Sequence, residues 1–228
     1  MIIDTHCHFD MIPNPESHLK RWEQNGNIII GMTNSPQHFR IGHPHVLGFK
    51  HIRLALGFHP QLATDNYQEL SLFKSLFSST SYIGEVGLDF SKDFIHSKDV
   101  QLSSFAYICE CLRGQNKIVS VHSRKGEVET LNMLKEYSVN NVIFHWYSGP
   151  LRLIEEIVAA GYYFSVNEAM TISESGRKII SRIPLDRILT ESDAPFNRKS
   201  NIKNARTNLG ISEYQIYNNF QTLLNRIK

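Results

Sequence analysis

Short runs rich in Ile, Val, Leu and Phe alternate with longer stretches in which apolar residues recur every three or four positions, and the alternation continues through the chain. Runs of the first kind read as strands and fall at roughly 2–8, 27–33, 51–58, 81–87, 117–122, 141–146, 162–167 and 187–192. Several are almost continuously apolar, the pattern of parallel strands covered on both faces. Between them, Leu102, Phe105, Ala106, Cys109 and Leu112 mark one helix face, and Leu153, Ile154, Ile157 and Val158 mark another. The last helix carries Ile216, Tyr217, Phe220, Leu223, Leu224 and Ile227 on one side and opens at Ser212-Glu213-Tyr214-Gln215, a capping box. The second unit is the weakest, because Gly42, Pro44 and Gly48 interrupt any long helix; a short helix and an irregular turn are predicted there. About eight βα units predict the α/β class and a (β/α)8 TIM-like barrel, with a doubly wound open sheet as the alternative. The 228 residues fit one domain, 1–228.

Composition removes some classes. With 41% hydrophobic and 20% charged residues the chain is too apolar to be disordered. No apolar run approaches the roughly 18 residues of a membrane span, and Met1-Ile2-Ile3-Asp4 does not read as a secretory leader. A formal charge of +2 excludes a strongly basic coat protein while leaving room for a local basic patch. Cys7, Cys109 and Cys111 form neither a CxxC clip nor a spaced framework, which predicts a reduced, cytoplasmic setting.

Histidine changes the picture, because several of the 11 copies stand at the ends of apolar runs. Asp4, His6 and His8 alternate along the first strand and therefore project from one face, with Cys7 on the other. A lone HxH has little specificity. Here Glu85, His122, His145 and Asp193 each follow the apolar part of a further predicted strand. The C-terminal rim of such a barrel is where catalytic residues collect, and imidazole with carboxylate suits divalent ions. Four imidazoles and two carboxylates exceed the three protein ligands usual for one catalytic zinc, which predicts about two ions (Zn, Mn or Mg) with Glu85, between Gly84 and Gly87, as bridge.

The segments Asp4-Thr5-His6-Cys7-His8-Phe9-Asp10, Gly57-Phe58-His59-Pro60, Gly84-Glu85-Val86-Gly87-Leu88-Asp89, Val121-His122-Ser123-Arg124, His145-Trp146-Tyr147-Ser148-Gly149 and Glu191-Ser192-Asp193-Ala194-Pro195-Phe196 together resemble the TatD-type metal-dependent deoxyribonucleases, in order and over almost the whole chain. The resemblance implies a barrel of the metal-dependent amidohydrolase type, the metal ligands His6, His8, Glu85, His122, His145 and Asp193, and DNA as substrate, single-stranded or with free ends. After Phe196 the sequence departs from the family's usual Arg-Gly and Asn-Glu-Pro segment and ends early. In this it is similar to the TatD-type subunit of bacterial Qat anti-phage systems, which implies other Qat system proteins as partners.

Hydrolysis of a phosphodiester needs an activated water, neutralised phosphoryl oxygens and help for the leaving oxygen. The resemblance makes Asp193 the general base as well as a ligand. His59 ends the third strand, where it either contacts a phosphate or leaving group or only braces its loop. Arg124 and Lys125 follow His122 and are candidates to fork onto phosphate. Arg198, Lys199, Lys203 and Arg206 have no acidic residue among them and predict a positive eighth loop. Phe9, Phe58, Trp146 and Phe196 stand beside ligand motifs, where nucleobase stacking competes with ordinary packing. Glu168 reads as a rim residue or as support for the ligands. The competing activity is an amidohydrolase acting on a small amide, ester or lactone, but many two-metal members bridge through a lysine of the fourth strand, where this chain has Glu85.

Overall fold

The computed structural model describes residues 1–197 and 201–227. Strand and helix alternate as β1 (Ile3–Cys7), α1 (Pro15–Gln24), β2 (Ile28–Met32), α2 (Pro36–Gly42), β3 (Ile52–Ala55), α3 (Ala63–Asn66) and α4 (Leu70–Leu76). The middle of the chain contributes β4 (Tyr82–Gly87), α5 (Lys98–Leu112), β5 (Ile118–His122), α6 (Glu127–Glu136) and β6 (Val142–His145). It continues through α7 (Arg152–Ala159), β7 (Tyr163–Val166), α8 (Glu168–Ile172), α9 (Glu174–Ile180), β8 (Ile188–Thr190), α10 (Ile202–Leu209) and α11 (Glu213–Leu224). Every strand pairs in parallel with the next in sequence, in two arcs, β1-β2-β3 and β4 through β8. The unit after β2 is the short helix and turn that Gly42 and Pro44 predict. Ser212 caps α11 by accepting from Gln215 N–H.

Two seams join the arcs into a barrel. Between β3 and β4, Leu56 and Ile83 form a bridge, Gly84 N–H donates to Leu56 O and Phe58 N–H donates to Glu85 O. Between β8 and β1 side chains replace part of the ladder: Thr5 Oγ1 donates to Thr190 O at 3.1 Å and Thr190 Oγ1 to Ile3 O at 2.5 Å. Past the strand ends, Asp193 N–H donates to His6 O and His8 N–H to Ala194 O, which fixes the β8 loop against β1. The ladder slips between Asp4 and Cys7 and again between Ile83 and Val86. Irregularities of this kind re-aim side chains, and these two flank His6 and Glu85.

The predicted face of α5 is rotated. Phe105, Cys109 and Leu112 are buried, whereas Leu102 and Ala106 are half-exposed and Gln101, Ser104 and Ile108 turn inward. Gln101 is drawn in because its carboxamide accepts from Asp89 N–H and donates to Asp89 O, so a polar residue holds the loop after β4. Gly87 ends that strand with φ 132°, and a Cβ there would lie 2.1 Å from the carbonyl oxygen of His122. Gly87→Ala combines a forbidden backbone region with overpacking and is expected to destabilise by roughly 2–4 kcal/mol, measured by urea denaturation. An unchanged midpoint would show that β4 and β5 can separate freely at this point.

Candidate metal centre

Strand geometry brings His6 and His8 from β1, Glu85 from β4, His122 from β5, His145 from β6 and Asp193 from just past β8 to one end of the barrel. Glu85 stands in the middle and its two oxygens face different neighbours. Oε1 lies 2.6 Å from His122 Nδ1 and 2.9 Å from His145 Nε2. Oε2 lies 3.2 Å from His8 Nε2 and 3.6 Å from His6 Nε2. Asp193 Oδ1 approaches the same two nitrogens, at 3.7 Å each. Among the described residues, carboxylate and imidazole donor atoms close enough to share an ion occur in three overlapping groups: His6, His8 and Asp193; His6, Glu85 and His145; and His59, Glu85 and His122.

Burial tests whether these donors fit a cation. His6 and His8 are 0% and 1% exposed, yet among the described residues His6 Nε2 and both ring nitrogens of His8 have no hydrogen-bond partner. Buried polar atoms left unpaired are costly, and nitrogens converging on carboxylates are the donor set a divalent ion satisfies. The outward ring atoms have supports of their own: His6 Nδ1 is 2.8 Å from Ser120 Oγ, and His122 Nε2 is 3.0 Å from Asp89 Oδ2. Such outer contacts set which nitrogen faces the ion.

Charge is distributed unevenly. Burial, then the neighbouring His145, holds His6 well below the usual imidazole range and therefore neutral. Burial also opposes charge on His145, but the Glu85 and Glu191 carboxylates outweigh it and raise that ring well above the usual value. Glu85 is itself driven up by burial and, more strongly, down by His59, His145 and His122, so it stays ionised. Burial, with the charges of Glu191 and Glu85 adding, lifts Asp193 to about 7.

A cavity of about 500 Å³ opens at Glu85, with His59, Gln61, Arg124, Trp146, Asp193 and Phe196 in its lining. His59 Nδ1 accepts from Gln61 N–H, so the neutral ring carries its proton on Nε2, which faces Glu85 Oε1 at 3.3 Å. Arg124 is exposed at the mouth; Lys125 is exposed but does not line the cavity. Arg198 and Lys199 lie outside the described residues. The predicted positive loop is not continued by Arg206, whose guanidinium is 2.7 Å from Glu213, the residue that also pairs with the Met1 ammonium. Lys203 lines the same recess beside Met1, away from the centre. Glu168 anchors α10 instead of supporting the ligands, accepting from Asn201 N–H and Asn204 Nδ2. Of the aromatics, Phe9 and Phe58 are core, while Trp146 and Phe196 reach the cavity.

The model of the TatD related DNase family matches residues 3–218, nearly the whole chain. The chain belongs to that family. The TatD-type metal-dependent hydrolase YjjV of Escherichia coli is 28% identical over 211 residues, covering 85% of this chain and 79% of its own. The crystal structure of that protein superposes with a TM-score of 0.81 at 24% identity, over 99% of this chain and 95% of YjjV. The human deoxyribonuclease TATDN3 is 33% identical over 134 residues, 57% of this chain, and the chain spans about half (49%) of that relative's length. A TatD family hydrolase from Entamoeba histolytica shares the fold, with a TM-score of 0.74 at 18% identity and coverage of 99% and 97%.

Three carboxylates at this TatD-type centre lie within the motifs yet carry no role in the sequence reading. Asp89, fully buried, receives Gln61 Nε2 at 2.7 Å and faces His122. Asp4 accepts from Ser192 N–H and Ser192 Oγ and ties β1 to the loop after β8. Glu191 lies behind His145. The available signal was an acidic residue two or four positions from a proposed ligand, but its partner lies on another strand.

Proposed function

We propose that this protein hydrolyses DNA phosphodiester bonds as a metal-dependent nuclease, with two divalent ions (Zn, Mn or Mg) shared through Glu85. The observation that carries the reading is the division of Glu85 between His6 and His8 on one oxygen and His122 and His145 on the other. With Asp193 these residues would hold the ions, which when bound supply positive charge for the phosphoryl oxygens and acidify a water. Asp193, at the edge of the cavity, would be the residue that accepts a proton from the attacking water. His59, whose Nε2–H faces Glu85 Oε1 beside the cavity, turns that proton to a phosphoryl or leaving oxygen. Arg124 forks onto a neighbouring phosphate, with Lys125, Arg198 and Lys199 adding to the field along the strand. We read 1–228 as one domain of this kind. Among the described residues no helix is long and apolar enough to cross a membrane. The cytoplasmic setting is part of the proposal and rests on Cys7, Cys109 and Cys111, which stand as free thiols. Its use in anti-phage defence beside other Qat system proteins is a further part of the proposal, supported by the departure after Phe196.

A labelled single-stranded DNA, digested with and without a chelator, tests the activity: cleavage lost on chelation and restored by Mn²⁺ or Zn²⁺ is expected. Failure to cut any nucleic acid with any ion, together with hydrolysis of a small ester, lactone or amide, would overturn it. Arg124→Ala is expected to weaken DNA binding and reduce the salt slope by about 1, read from titrations at several salt concentrations, without altering metal content. Binding that ignores both salt and this substitution would favour a small neutral substrate.

A further inference from the structure

Behind the centre lies a carboxylate that the proposed mechanism does not use. Glu191 is fully buried just past β8, and among the described residues the only ionisable partner within ion-pair distance is His145, whose Nδ1 is 3.6 Å from Oε2. Three groups donate to it from two neighbouring strands. Trp146 N–H reaches Oε1 at 3.1 Å, Asn167 Nδ2 reaches Oε1 at 2.9 Å, and Ser165 Oγ donates to Oε2. Asn167 is itself fixed, because its Oδ1 accepts from Met170 N–H at the start of α8. A buried carboxylate with no Arg or Lys beside it among the described residues is costly, so its presence asks for a use.

The use is visible in the turn it grips. Trp146 has φ 36°, in the left-handed region that residues with bulky side chains rarely enter. This conformation follows directly after a proposed ligand, His145, and sends the indole to the cavity wall. One carboxylate thus touches the backbone that aims Trp146 and faces the ring that offers Nε2 to Glu85.

We propose that Glu191 is a positioning residue that couples the metal centre to the substrate wall, holding the His145–Trp146 turn with Oε1 and placing a negative charge behind His145 with Oε2. The proposal rests on the metal centre of the proposed function, and on its nuclease reading only for the identity of the substrate. The two jobs separate by substitution. Glu191→Gln keeps an oxygen for Trp146 N–H and Asn167 and an amide for Ser165 Oγ, but loses the charge. Glu191→Ala loses both.

In a Trp22→Phe background Trp146 is the sole indole, and its emission reports the turn without any turnover. Glu191→Gln is expected to retain the wild-type emission and oligonucleotide KM while lowering Mn²⁺ affinity about 10- to 100-fold, the usual loss for a partner behind a metal-bound histidine. Glu191→Ala is expected to lose metal affinity likewise, shift the emission, and raise KM as Trp146→Ala does. Should Glu191→Ala fail to fold, Glu191→Gln alone decides the charge and Glu191→Asp, which keeps the charge but draws its oxygens back from Trp146 N–H and is expected to shift the emission, decides the grip. Unchanged Mn²⁺ affinity in Glu191→Gln, or unchanged emission in the variants that release the turn, overturns the proposal. A failed nuclease reading looks different: the wild type binds Mn²⁺ and the emission differences persist, but no DNA is cut.

Discussion

Glu85→Ala is expected to lower cleavage of single-stranded DNA by a factor on the order of 10³ or more and to strip the protein of most of its metal. Partners that only orient a ligand already contribute about 10- to 100-fold in affinity, and Glu85 stands between all the proposed histidine ligands, so its removal acts on both halves at once. The barrel should remain folded, because the imidazoles of so buried a site can lose their protons once the carboxylate is gone, leaving no uncompensated charge. Circular dichroism and metal analysis on the same preparation check both statements. Full metal and full activity in this variant would mean that Glu85 is only a buried partner of its histidines.

Asp193→Asn is the second large effect and separates coordination from proton transfer. Asp193 has φ 51°, a region that Asn tolerates as well as Asp does, and its backbone donates to His6 O and accepts from Asn197 N–H. The substitution therefore leaves the loop in place, keeps an oxygen near His6 and His8, and removes the carboxylate that accepts a proton. If Asp193 is the base, substantial metal and DNA affinity are retained while single-turnover cleavage falls by roughly 10² to 10⁴. Metal and activity falling together would make coordination its indispensable role. Normal turnover with full metal would remove Asp193 from the site.

The strands and the proposed ligands were legible for one reason. A parallel strand buried on both faces is a continuous apolar run, and a polar residue at its end stands out against it. His122 and His145 are visible in this way, Glu85 as a charge inside the fourth run, and His6 with His8 through the strand period of two. What stayed hidden depends on neighbours distant in sequence. Gln101 looks polar and outward until Asp89, 12 residues earlier, is seen to need both of its amide groups. Arg206 looks like part of a positive loop until α10 turns it toward Glu213. Phe9 and Phe58 resemble Trp146 and Phe196 by position alone, but their rings fill the space inside the barrel wall, Phe9 against Gly31, while the other two reach the cavity. Glu191 sits two residues before Asp193 and shows its purpose only when β6 and β7 are laid beside it.

The central claim is a centre of two ions joined by Glu85, and metal content per chain is the direct measurement. After equilibration with Mn²⁺ or Zn²⁺ and removal of free ion, the wild type should hold about two ions, His8→Ala and His122→Ala should each keep about one, and Glu85→Ala almost none. A wild type that binds no ion, or a stoichiometry that none of the three substitutions changes, would contradict it.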